Sequence, residues 1–139
     1  MQPHFAEILC DAEVDALIFD TFSNPTADLI EERLFPFIEK IRSAHPDIPL
    51  IFQQTIYRER RNFNKRYMER EKAKQETASR LMKEACKKYN NVYFIQTNAT
   101  DEMHSTSVDG SHPNDFGYTL WAESIKKPVM KILRKHGIR

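Results

Sequence analysis

The sequence predicts an α/β fold, a three-layer sandwich in which a short parallel sheet carries helices on both faces. Three observations predict it. Apolar runs of strand length alternate with amphipathic stretches of helical period, in the order helix, strand, helix, strand, helix, strand, helix. A chain of 139 residues, 40% apolar and 29% charged, suits one soluble domain with a modest core, spanning 1–139. Polar residues gather where the apolar runs end, which is where a doubly wound sheet meets its ligands.

Pro3 to Glu13 carry Phe5, Ile8, Leu9 and Ala12 at helical spacing, and Asp15 to Asp20 enclose a four-residue apolar run that reads as a buried strand. Phe22-Ser23-Asn24-Pro25-Thr26 is turn chemistry. Ile30, Leu34, Phe37, Ile38 and Ile41 then line one face of a helix, which Pro36 is expected to kink or split by removing a donor. After the His45-to-Pro49 loop, Leu50 to Gln54 form a second strand with polar residues at its carboxyl end. A helix from about Asn64 to Tyr89 packs through Ala78, Leu81, Met82, Ala85 and Cys86. Val92 to Gln96 make the third strand. The loop from Thr97 to His112 leads to a last helix near Asp115 to Lys135, with Trp121, Ile125, Val129 and Ile132 inward, Pro128 as a second kink and Gly137 as its stop.

Composition excludes several classes of function. Two cysteines, Cys10 and Cys86, are too few for a disulfide framework or a zinc cluster and read as core fillers. No apolar stretch approaches a membrane span and no basic-then-apolar leader opens the sequence, so neither membrane nor signal peptide is expected. Lys and Arg number 21 against 20 Asp and Glu, a net +1, which gives no reason to expect nucleic acid. Arg58 to Lys74 is the local exception, with eight basic residues interleaved with Tyr57, Phe63 and Tyr67. Such a segment can bind single-stranded RNA, but it also describes a solvated or partner-contacting helix start, which is the reading adopted. Asp101, Glu102 and His104 on a polar loop read as solvated rather than as metal ligands, and His4, His45 and His136 fall at turns or ends.

The chemistry-bearing segment runs from Val108 to Tyr118. An Asp three residues before a His, on a Gly/Pro loop that opens into a helix, can hold one imidazole nitrogen while the other faces a substrate. The carboxylate fixes the tautomer and stabilises the imidazolium that forms when His takes a proton from a hydroxyl nucleophile. Taken alone, the pair Asp109 and His112 reads rather as a turn cap beside an exposed histidine, and Asn24-Pro25 as a helix entry.

The string Asp109-Gly110-Ser111-His112-Pro113-Asn114-Asp115-Phe116-Gly117 resembles the last sequence block of the SGNH (GDSL-type) serine hydrolases. The strand ending in Asp20 and its turn through Asn24-Pro25 resemble the family's third block. The run through Phe35-Pro36-Phe37-Ile38, Ile41-Arg42, His45-Pro46 and Pro49-Leu50-Ile51-Phe52 is similar to its acylhydrolase branch, so nearly the whole chain is covered. The resemblance implies a flavodoxin-like sandwich with three strands of the family sheet retained. It also implies His112 as general base, Asp109 as its orienting partner and Asn24 as a side-chain donor to the oxyanion, a role an amide NH2 can fill without titrating.

The family carries its nucleophile in a Gly-Asp-Ser turn after the first strand, and a second-block glycine lends its N–H to the oxyanion hole. Neither falls in this sequence, whose glycines are Gly110, Gly117 and Gly137. The expectation is the carboxyl-terminal part of an SGNH-type domain, with the nucleophile outside this chain and both missing blocks ahead of Met1. Ser23 lacks the glycines of a nucleophile elbow, Ser111 adjoins His112, and Ser105 and Ser107 are loop residues. The implied activity is ester hydrolysis through a serine acyl-enzyme, on a small acyl or acetyl ester, carbohydrate esters included, with no cofactor and no metal. The competing expectation is a non-catalytic α/β binding or assembly module with an idle Asp-His loop. In the family topology the nucleophile strand lies beside the strand at 15–20. That strand is therefore expected either to join a homodimer or to hold the amino-terminal segment.

Overall fold

The computed structural model describes all residues 1–139. Its elements are α1 (Pro3–Cys10), β1 (Leu17–Phe19), α2 (Ala27–Ala44), β2 (Leu50–Gln53), a 3₁₀ turn (Glu59–Asn62), α3 (Lys65–Lys88), β3 (Val92–Ile95) and α4 (Asp115–Lys135). The strands form one parallel sheet in the order β1-β2-β3, with Leu17 opposite Leu50 and Leu50 opposite Val92. Each crossover steps the same way along the sheet, so helices α2 and α3 lie on one face. α4 follows β3 onto the other.

The period of two along a strand divides the core accordingly. Leu17, Phe19, Leu50, Phe52 and Val92 pack with Ile30, Leu34, Ile38 and Ile41 of α2 and with Ala78, Leu81, Met82 and Ala85 of α3. Each fully buried Ile or Leu of these stripes contributes about 2–3 kcal/mol relative to exposure. Ile51, Ile95 and Val129 form the smaller core under α4, with Tyr93, Ile125 and Ile132 packed at its edge. Ile18 points to that same face but is 45% exposed, because α4 covers the β2 and β3 side only.

Several local expectations are corrected. Helix α2 continues through Pro36, and α4 through Pro128, each as one element. A proline removes one backbone bond, and Pro36 lies on the exposed side of α2, where water can serve the freed carbonyl. α1 ends at Cys10 rather than Glu13 and buries Ala6, whereas Phe5 and Ile8 stand 55% and 62% exposed. Its main packing is against α2, through one narrow side. Cys86 lies at the surface instead of in the α3 stripe, and Cys10 is half-buried. No helix is long and apolar enough to cross a membrane.

Candidate active site

Three segments leave the carboxyl ends of the strands and meet at that end of the sheet. After β3, the chain runs irregularly to α4 and is pinned by its own polar side chains. Asp101 accepts from the Ser105 N–H and hydroxyl at 3.1 and 3.0 Å, which holds its carboxyl below the usual range. Ser107 and Pro113 pair in an antiparallel bridge, and the Val108 N–H reaches the His112 carbonyl at 2.9 Å. Gly110, at φ +80°, takes the left-handed conformation at the tip.

That tip organises Asp109 and His112. One Asp109 carboxylate oxygen accepts the N–H groups of Ser111 and His112 at 2.8 Å each, and the other lies 2.8 Å from His112 Nδ1. The imidazole bond, then the two backbone bonds, hold the Asp109 carboxyl well below its ordinary range. An ionised carboxylate only accepts, so Nδ1 carries the proton and Nε2 is left as the basic nitrogen. Both side chains are exposed, with the imidazole open to solvent.

The loop is fastened to the segment after β2. The Arg60 N–H donates to the Gly110 carbonyl at 2.8 Å, and a Cβ on Gly110 would stand only 3.1 Å from that nitrogen. The buried Glu59 carboxylate accepts the hydroxyls of Thr100 and Thr106, each at 3.0 Å. Asn114 caps α4 by accepting the Gly117 N–H at 2.9 Å and donates to the Ser105 carbonyl at 2.8 Å. Gly117 lets this turn lie flush on the loop, since a Cβ there would meet the Thr106 carbonyl at 2.2 Å.

Asn24 lies in the turn after β1 and is exposed. Phe22 anchors the turn, fully buried against Phe52 and Phe94 with ring centroids 6.1 Å away in each case. Asn24 borders two clefts of about 500 Å³: one along the open edge of β1, with Ile18, Asp20 and Thr21, the other toward α3, with Arg58, Tyr67 and Arg70. The structure thus joins His112 directly to Asp109 and sets Asn24 at the same end of the sheet, without a hydrogen bond between them. Candidate hydroxyls are engaged elsewhere. Ser23 donates to Asp20 at 2.6 Å, Ser111 lies 3.3 Å from the Tyr67 hydroxyl, and Ser107 accepts the Gly110 N–H at 2.6 Å.

Sequence reasoning missed the part of Arg58, Glu59, Tyr67, Glu71 and Lys74. The segment from Arg58 to Lys74 is not simply solvated: Lys74 is 4% exposed and Glu71 is buried beside it. The signal was present, because Glu71 and Lys74 extend the apolar stripe of Ala78, Leu81, Met82 and Ala85 by one further turn.

The family described as GDSL-like Lipase/Acylhydrolase matches residues 1–131. Among solved structures, a candidate GDSL-like lipase from Bacteroides ovatus is 36% identical, with a TM-score of 0.90 over 96% of this chain and 40% of that one. The salicylyl-acyltransferase SsfX3 of a tetracycline biosynthetic pathway is 16% identical and shares the fold, with a TM-score of 0.71 over 94% of this chain and 41% of its own. The chain spans about 40% of the length of both. No curated protein matches it.

Proposed function

The chain belongs to the GDSL-like lipase/acylhydrolase family, and from that premise we propose that it is part of an ester hydrolase acting through a serine carried outside residues 1–139. The observation that carries the reading is the 2.8 Å bond from His112 Nδ1 to Asp109, which leaves Nε2 basic and open. In the proposed reaction Nε2 takes the serine hydroxyl proton as the oxygen attacks the acyl carbon. The carbonyl π electrons move onto oxygen, and the Asn24 amide donates to that oxyanion. Collapse expels the alcohol, which receives the proton from His112, and water then repeats the sequence to free the acid. The substrate is a small acyl ester, and the chemistry needs no cofactor.

The engagement of Ser23, Ser107 and Ser111 elsewhere also suits a binding module with an idle Asp-His loop. One experiment separates the two. The complete gene product is tested on p-nitrophenyl acetate and labelled with a fluorophosphonate probe, beside residues 1–139 alone. The expected result is hydrolysis by the complete product, labelling of a serine outside this chain, and no more activity from residues 1–139 than from their His112→Ala variant. In the complete product Asn24→Ala should lose on the order of a hundredfold in rate. Labelling of Ser23 would move the nucleophile into this chain. A complete product that neither hydrolyses the ester nor takes the label would leave the binding module.

A further inference from the structure

A buried charged cluster stands between the Asn24 turn and the His112 loop. Lys74 Nζ lies 2.6 Å from the Glu71 carboxylate, and Arg58 approaches the same oxygen at 3.8 Å. All three side chains are at least 85% withdrawn from water. Replacing such a cluster by apolar side chains of equal volume is often neutral or stabilising, so fold stability is a weak account of it. Its outward bonds point to another role. Lys74 donates to the Ser23 carbonyl at 2.9 Å, in the peptide that leads into Asn24. Arg58 donates to the Tyr67 hydroxyl at 3.3 Å, which lies 3.3 Å from the Ser111 hydroxyl, next to His112.

We propose that Lys74 is a positioning residue, fixed by Glu71 and Arg58, that holds the Ser23 carbonyl and so sets the Asn24 amide relative to the His112 loop. The bond to Ser23 is the one polar contact from α3 to that turn, and the turn is otherwise exposed at Asn24. Burial holds the Lys74 pKa below the ordinary lysine value, and the bond and charge of Glu71 oppose that shift. Lys74 touches no reacting atom and acts through Asn24. The catalytic half of this inference rests on the ester-hydrolase reading, and the structural half does not.

The test uses the complete gene product and Lys74→Met, which leaves Glu71 with Arg58 as its partner. The NMR order parameters of the Ser23 and Asn24 amides are expected to fall from the rigid-backbone range, about 0.85, to below about 0.6, while those of Val92 to Ile95 stay unchanged. Unchanged order parameters at the turn would overturn the proposal. On an acetyl ester, kcat should fall on the order of tenfold with KM unchanged, since a misplaced donor weakens the transition state and not substrate binding. Asn24→Ala combined with Lys74→Met should be no slower than Asn24→Ala alone, because one acts through the other. Losses that multiply would also overturn it. Should Lys74→Met not fold, Glu71→Gln removes the counter-ion at constant shape, and the same fall in order parameters is expected. If Asn24→Ala leaves kcat unchanged, the ester-hydrolase reading falls, and the order parameters still decide the role of Lys74.

Discussion

Asp109 gathers three donors onto one exposed carboxylate, and its role depends on staying ionised. Its folded pKa is depressed, so the order it lends the loop is fully present above the ordinary Asp value, about 3.9, and is lost only as pH falls through the lower folded value. A carbon-13 titration of the Asp109 carboxyl should therefore show no protonation across the neutral and mildly acidic range. A midpoint at or above the ordinary value would contradict the arrangement. Asp109→Asn keeps the shape but presents an amide that can turn its N–H toward Nδ1 and favour the wrong tautomer. In the complete gene product it should cost on the order of 10³ to 10⁴ in kcat. His112 and Asp109 were legible because both partners of the bond sit within one turn of sequence. Lys74 and Arg58 were not, since their partners Ser23 and Tyr67 lie in other elements and only the fold brings them together.

At the scale of elements, the two ends of the sheet divide the work. Arg42, in the last turn of α2, sends its guanidinium to the carbonyls of His45, Pro46 and Ile48 before β2, and of Asn90 and Asn91 before β3, over 2.7 to 3.5 Å. These loops enter the strands at their amino ends, opposite the candidate site. Arg42→Met leaves several carbonyls without a charged donor and should lower unfolding stability by about 2–4 kcal/mol. In the complete gene product its kcat in the folded population should match the parent's, as chemical denaturation and steady-state kinetics on the same preparation can check. A fall in kcat with unchanged stability would show the two ends to be coupled. Helix stripes such as Ile30, Leu34, Phe37, Ile38 and Ile41 could be read directly, because burial follows the apolar period. Continuity through Pro36 and Pro128 could not, because a proline's local cost was set against packing that only the assembled helices supply.

Across the whole molecule the sheet ends abruptly. β1 has a neighbour on one side only, and the Leu17 N–H spends itself on the Pro49 carbonyl at 3.0 Å. By strand alternation the Ile18 N–H and carbonyl face the open edge. Phe5 and Ile18 stand exposed along the adjoining groove, with no proline or charge in Leu17 to Phe19 to discourage pairing. The groove runs on to Asn24, so a strand laid in it from an amino-terminal segment would be carried toward the candidate site. The two matched solved structures are longer than this chain by more than half of their own length, and a protein of that length would hold material for such a strand. The expected occupant is that segment, and residues 1–139 prepared alone should pair along the same edge with a second copy. Light scattering of the isolated chain should then give twice the mass of 16.4 kDa, and the Ile18 amide should be protected from exchange. Ile18→Lys, at a half-exposed position, should change monomer stability by no more than about 0.5 kcal/mol yet shift the mass to that of a monomer. A parent chain that is monomeric, with its Ile18 amide exchanging at the rate of an unprotected loop, would show that the edge needs no partner.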